Sequence, residues 1–313
     1  MERIASGGMA TVYLGKVVGV GGFERQVAIK VMHAHIAEDE DFRVMFLEEA
    51  RLAARIHHPN VVSTLDVQQT NSVTFLVMEY IAGPSLRELF RQTRAQDVRL
   101  PLAVTLRIFI DALAGLHAAH ELLGPAGEPL SLVHRDVSPH NILVGTDGIT
   151  RITDFGVARS EARLGATRNT SLKGKLGYMA PEQCLCAVVD RRADIYSAAI
   201  VLWEALTGRR LFEADEEIGL IREVLAGARF APREFDPSIP AYVDDACMKA
   251  LARDLEDRHP SALVFADVAS IRHAERAVAS GADGLVLLTA GAGGQTGWLN
   301  PFAFVRAVRA FFD

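Results

Sequence analysis

Cysteine is scarce in this 313-residue chain: Cys184, Cys186 and Cys247 form an odd set with a single C-x-C pair. That set has neither zinc-knuckle spacing nor the even count of a disulfide framework, so reduced thiols and a cytoplasmic setting are expected. Long apolar runs are missing as well. No stretch approaches the roughly 18–20 uninterrupted apolar residues of a membrane span, and no basic region followed by an apolar run opens the chain. There is no excess of cations either: 39 Asp and Glu against 33 Lys and Arg leave a net charge of -6. A dedicated nucleic-acid or anionic-membrane surface is argued against, and a globular protein partner is expected. Half the residues are hydrophobic, enough for one large two-lobed domain or two ordinary ones.

Up to about Tyr80 the pattern is strand-rich, with short β-prone runs at Thr11–Leu14, Val27–Val31, Val61–Val67 and Val73–Glu79. One helix interrupts them. Between Asp41 and Ile56, Phe42, Met45, Phe46, Leu52, Ala53 and Ile56 recur at helical spacing, and Glu49 falls inside that apolar stripe, where a carboxylate must find a cation. After Gly83-Pro84-Ser85 the helical period takes over, predicting helices over Ser85–Ala95, Leu102–Leu122, Ala193–Leu206, Glu216–Ala226, Ala241–Leu251 and Ser261–His273. Ile142–Val144 and Ile149–Thr153 flank Asp147-Gly148, a hairpin signal.

Several motifs, in chain order, meet the needs of phosphoryl transfer, which asks for backbone amides or cations on phosphates, metal ligands, and a carboxylate to orient a hydroxyl. Ala5-Ser6-Gly7-Gly8-Met9-Ala10 lies between two strand signals and is either a phosphate-covering hairpin or an ordinary one. Val27-Ala28-Ile29-Lys30 puts an ammonium in an apolar strand, where it needs an anion such as Glu49 or phosphate oxygens; a surface lysine at a strand end is the alternative. His134-Arg135-Asp136 with Asn141 sets a carboxylate and an amide on one tight loop, and Asp154-Phe155-Gly156 adds a metal-binding carboxylate after the hairpin.

Together these motifs resemble the eukaryotic-type protein kinases, and among them the bacterial Ser/Thr kinases, over residues 1–272. Ala180-Pro181-Glu182, Asp194 in its helix, and Asp257-Arg258 belong to the same likeness. It implies an α+β, two-lobed protein-kinase-like fold: an N-lobe (about 1–80) of five or so antiparallel strands plus one helix, and a mostly helical C-lobe (about 85–272). It further implies ATP and Mg2+, a protein substrate, Asp136 as catalytic base, Asn141 and Asp154 on magnesium, and Lys30 on the phosphates with Glu49 as its partner. Ile4, Ala5, Ser6, Gly7, Gly8, Val12, Ala28, Leu143 and a hinge of Met78, Glu79 and Ile81 would surround the nucleotide. Glu182 would pair with Arg258, and Asp194 would brace the catalytic loop. Arg135 before Asp136 suggests control by phosphate on the following segment, with Thr167, Thr170 and Ser171 as self-phosphorylation sites.

The chain departs from that family in three places. Ala5 and Ala10 replace two loop glycines. Ser138 stands where Ser/Thr kinases carry a lysine, while Lys175 stands where they carry a threonine, so that either Lys175 and Ser138 exchange ammonium and hydroxyl or Lys175 is a solvated side chain. Residues 273–313 form a non-kinase tail whose Gly281–Leu288 and Gly291–Gly297 resemble a strand and loop of nitronate monooxygenase-type flavin barrels, too short for a barrel of roughly 250 residues. With a first strand expected to be truncated, a chimeric or shortened reading frame is expected. A pseudokinase acting as a binding module is the rival reading, and an oxidoreductase tail a third.

Overall fold

The structure, a computed structural model, describes residues 2–7, 10–69, 73–155 and 173–262. Five strands, β1 (Glu2–Ser6), β2 (Ala10–Val18), β3 (Glu24–Met32), β4 (Thr64–Gln69) and β5 (Thr74–Glu79), form an antiparallel sheet in the order β1-β2-β3-β5-β4. β3 carries the Val-Ala-Ile-Lys run and is hydrogen-bonded on both sides, which makes it the least frayed place in the lobe from which to hold a side chain. After a short helix, α1 (Ala34–Ala37), α2 (Glu40–Ala53) lays Phe46 and Ala50 on a cluster of Ala28, Met32, Leu76 and Met78.

The expected strand Val61–Val67 begins only at Thr64, because residues 60–62 turn their backbone to the other lobe. Val62 N–H bonds the Ile152 carbonyl and Ile152 N–H the Asn60 carbonyl, each at 2.9 Å. The lobes are therefore joined by backbone as well as by the connection at Gly83. There the φ is +152° and a Cβ would lie 2.1 Å from the Val144 carbonyl oxygen, an approach only glycine allows.

The larger lobe holds α3 (Leu86–Ala95), α4 (Leu102–His120), a hairpin of β6 (Ile142–Val144) and β7 (Thr150–Ile152), α5 (Lys173–Leu176), α6 (Pro181–Cys184), α7 (Arg191–Thr207), α8 (Glu217–Ala226), α9 (Pro232–Phe235) and α10 (Ala241–Ala250). Ser85 caps α3, and Asp190 caps α7, which ends at Gly208 with φ +71°. α7 is buried from Ala193 to Thr207, with Ile195, Tyr196, Ala199, Ile200 and Val201 at 0% exposure. A helix without a polar face belongs at the centre of a lobe, and α4 and α10 pack around it. α4 is long and apolar enough to cross a membrane by length and composition, yet it is mostly buried in this core. The hairpin forms as Asp147-Gly148 predicts, with Gly148 at φ +78°.

The sequence predicts further elements that lie outside the described residues: the turn at Gly8 and Met9, the candidate phosphosites Thr167, Thr170 and Ser171, most of the helix Ser261–His273, and the whole tail.

Candidate active site

Lys30 sits mid-strand, paired in register with Val12 on β2 and Leu76 on β5. Its ammonium lies over the ring of Phe46 from α2, 5.9 Å from the centroid, and meets Asp154 Oδ1 at 2.9 Å. This ion pair spans the two lobes. Burial by itself raises the Asp154 carboxyl, but the charge and hydrogen bond of Lys30, with Lys175 and His134 adding to them, outweigh burial and hold it below the ordinary carboxylate range. Glu49 lies on α2, but its side chain is outside the described residues, and so is the expected Lys30–Glu49 pair.

The catalytic loop is held from beneath by one buried carboxylate. Asp194, at 0% exposure, accepts the backbone N–H of Arg135 on Oδ1 at 2.8 Å and that of His134 on Oδ2 at 2.7 Å, with His120 Nε2 also 2.7 Å from Oδ2. These bonds fix Arg135 at φ +62°, a left-handed conformation that a non-glycine residue keeps only when its surroundings impose it. Asp154 is held similarly, at φ +59°. His134 is wholly buried and links the two: its Nδ1 accepts the Asp136 N–H at 3.2 Å, its Nε2 donates to the Thr153 carbonyl at 3.0 Å, and its ring packs on Phe155 at 4.6 Å. The loop and the segment bearing Asp154 are thus one hydrogen-bonded unit.

On that unit Asn141 donates from Nδ2 to the Asp136 carbonyl (2.8 Å) and to Asp136 Oδ2 (3.2 Å), while its own carbonyl accepts the Thr153 N–H at 3.0 Å. Among the described residues its amide nitrogen alone takes part in these side-chain bonds. Lys175, arriving from α5, places Nζ 2.5 Å from Asp136 Oδ2. Ser138 Oγ is buried, with its residue at 1% exposure, and has no hydrogen-bond partner among the described residues. The structure therefore brings Asp136, Asn141 and Lys175 into one contact set, joins Lys30 to Asp154, and leaves the Ser138 hydroxyl outside both.

Above this polar floor lies an apolar slot. Ala28, Met78 and Ile81 are buried in one cluster with Val12 from the sheet and Leu143 from β6, so side chains of both lobes meet there. Ala28 faces Met78 across the β3–β5 ladder, and Glu79 N–H is taken by the Ser63 carbonyl at 2.9 Å. Ile4 and Ala5 lie exposed on β1, with Ile4 at its bulge, and Ser6 Oγ is 3.2 Å from Thr11 Oγ1. Gly7 N–H closes the turn onto the Ala10 carbonyl at 2.9 Å, and Gly8 lies outside the described residues.

Sequence reasoning missed three supports. His120 closes the ring around Asp194, signalled only by a polar residue ending an apolar helix. Gln183 Nε2 holds the Arg135 carbonyl at 3.0 Å. Tyr178 OH donates to buried Glu204 Oε2 at 2.8 Å, with Arg210 bonded to the same hydroxyl; no spacing links residues so far apart. The pair expected between Glu182 and Arg258 is present and bidentate, at 2.7 and 2.9 Å.

The sequence profile described as protein kinase domain matches residues 1–264. The chain is 42% identical over 282 residues to a protein named tyrosine-protein kinase MasK of Myxococcus xanthus, which covers 90% of this chain and 44% of that one. It is 32% identical over 262 residues to serine/threonine-protein kinase PrkC of Bacillus subtilis (84% and 38% covered) and 36% identical over 271 residues to serine/threonine-protein kinase PknL of Mycobacterium bovis (86% and 64% covered). It thus spans less than two thirds of the length of each. The solved kinase domain of Mycobacterium tuberculosis PknI superposes with a TM-score of 0.65 at 26% identity, covering 87% of this chain and 94% of that one. These relatives lend no support to a flavin-barrel origin for the tail. With a two-lobed fold, a motif set in the family's order and a profile match over most of its length, this chain belongs to the protein kinase domain family.

Proposed function

We propose that this chain transfers the γ-phosphoryl group of ATP to a Ser or Thr hydroxyl of a protein substrate, with magnesium. The observation that carries the reading is the pair of contact sets Lys30–Asp154 and Asn141–Asp136–Lys175, which in this reading supply two cation ligands, one base and two ammonium groups. Asp154 and Asn141 offer hard oxygen donors, the set that suits Mg2+, an ion that completes its shell with water and phosphate oxygens. Bound there, magnesium would neutralise charge on the phosphates.

In this reading Val12, Ala28, Met78, Ile81 and Leu143 enclose the adenine, and Lys30 holds phosphate oxygens from its place in the central strand. Asp136 accepts a hydrogen bond from the incoming hydroxyl, so that the hydroxyl oxygen's lone pair points at the γ-phosphorus, and takes its proton as the new O–P bond forms and the bond to the β,γ-bridging oxygen breaks, releasing ADP. Lys175 fixes the Asp136 carboxylate and brings positive charge to the transferring group. Thr167, Thr170 and Ser171 are sites for self-phosphorylation, and the Arg135 guanidinium is the group to receive a phosphate there. A cytoplasmic location belongs to the same proposal.

A second reading concerns the acceptor alone: the relative at 42% identity is named a tyrosine kinase. Incubation with γ-labelled ATP and magnesium, followed by acid hydrolysis and phosphoamino acid analysis, decides both points. Labelled phosphoserine or phosphothreonine that disappears in Asp136→Asn is the expected result. Label in phosphotyrosine moves the acceptor to tyrosine, and label equal in the two proteins, or none in either, defeats the kinase reading in favour of a binding module.

A further inference from the structure

Cations gather beside the loop of Asp136, along α3 and at the end of α7. His140, beside the catalytic base, feels the charges of Arg87, Lys175 and Arg210 as well as that of Asp136. Backbone geometry places these groups. Arg87 opens α3, and its N–H bonds the Pro139 carbonyl of the catalytic loop at 2.9 Å, while Tyr178 N–H bonds the Lys175 carbonyl at 3.0 Å. Arg210 lies over the Tyr178 ring, 5.4 Å from its centroid. Further along α3, Arg94 donates to the Gly208 carbonyl at 3.2 Å, next to Arg209, and the two line a cavity of about 390 Å³ between the C-terminal ends of α3 and α7. A strip of cations runs from Asp136 to this cavity.

The acids along the strip are nearly all committed. Glu204 is 2% exposed and engaged by Tyr178 and Arg210. Glu88 is bonded by Arg91 and Gln92, and Asp236 by Arg99. Asp97 is the remaining acid of the cavity wall, against Arg94, Arg99 and Arg209. Arg87, Arg94 and Arg209 are exposed and have no carboxylate partner among the described residues. Such a concentration runs against the net charge of -6, so the overall field does not account for it.

We propose that Arg87, Arg94 and Arg209 form an acceptor-binding strip that selects substrate segments carrying Asp or Glu side chains beside the phosphorylated hydroxyl. The inference rests on the kinase reading. Exposed guanidinium–carboxylate pairs contribute little singly, about 0.2–1 kcal/mol, so selectivity comes from several acting together and is screened by salt.

The test uses three peptides identical except that the residues flanking one serine are Glu, Gln or phosphoserine. Phosphorylation by the full chain is measured for wild type and for Arg87→Gln, Arg94→Gln and Arg209→Gln, and binding of the labelled peptides to the Asp136→Asn protein is followed by fluorescence anisotropy. The Glu peptide is expected to exceed the Gln peptide about 10-fold in kcat/KM, to lose about 2–5-fold per arginine removed through KM with kcat kept, and to lose its advantage in about 0.5 M salt. Arg87→Gln breaks no side-chain hydrogen bond or ion pair among the described residues, so it keeps the test sound should the other two variants misfold.

Equal use and equal binding of the Glu and Gln peptides overturns the proposal, as does a preference untouched by the three substitutions. Preference for phosphoserine without preference for Glu overturns the assignment to carboxylates. Salt-sensitive binding of the Glu peptide without phosphorylation of any peptide upholds the strip and rejects the kinase reading.

Discussion

At the scale of single residues, Lys175 carries the most consequence. Its ammonium lies 2.5 Å from the Asp136 carboxylate, the proposed base, yet it belongs to α5 and not to the loop that carries Asp136. A cation at a developing phosphoryl charge is worth about 10²–10³-fold in rate. Lys175→Met is therefore expected to lower kcat about 100-fold with KM for ATP little changed. The double variant Ser138→Lys with Lys175→Thr is expected to recover at least about a tenth of wild-type kcat, because position 138 lies two residues beyond Asp136 on the same loop and its buried hydroxyl has no partner among the described residues. Steady-state kinetics decides the matter: wild-type kcat in Lys175→Met reduces the contact to a surface ion pair, worth 0–1 kcal/mol or so. Both residues stand out in the sequence. Their juxtaposition does not, since no spacing rule connects position 136 to position 175.

At the scale of elements, the catalytic loop takes its shape from α7. Asp194 is a carboxylate inside the core, and its bonds to two loop N–H groups and to His120 are what make such a burial tolerable. Asp194→Asn turns one acceptor into a donor facing N–H groups. The expected outcome is a loss of about 2–3 kcal/mol in denaturant unfolding. A kcat falling more than 10-fold should accompany it, while KM for ATP moves far less because Lys30 and most of the apolar slot are carried by the five-stranded sheet. Equal falls in kcat and in nucleotide affinity would mean that the whole cleft had loosened. Strand and helix boundaries were largely legible from periodicity, as with α2, α4 and α10. The strand expected at Val61 was not, because its hydrogen bonds go to β7, an element some ninety residues away.

At the scale of the whole molecule, stability and pH are coupled through buried imidazoles. Burial, the largest cause in each case, holds His58, His117, His140 and His259 below the usual histidine value, with His140 pushed down to about 4 by burial and then by Arg87 and Lys175, against the pull of Asp136. The unfolded chain takes up a proton near 6.5 that folded His140 refuses until about 4, so this contribution to stability is complete above 6.5 and is lost as pH falls through that window. Melting curves of wild type and His140→Gln are expected to converge, and then cross in favour of the variant, as pH drops from 6.5 toward 4; a constant difference would show that His140 takes no part.

The sequence alone carried the motifs on which the proposed phosphoryl transfer rests, because Lys30, Asp136, Asn141 and Asp154 sit in local patterns whose residue types that chemistry requires. It also determined the two-lobed division, through a change of hydrophobic period after Gly83. Only the tertiary structure decided where Lys175 puts its charge, how Asp194 and His120 grip the loop of Asp136, and which arginines of an acidic protein gather along α3 and the end of α7. Those are relations between groups remote along the chain. Their energies depend on distance and burial, and these come into being only when the lobes have packed.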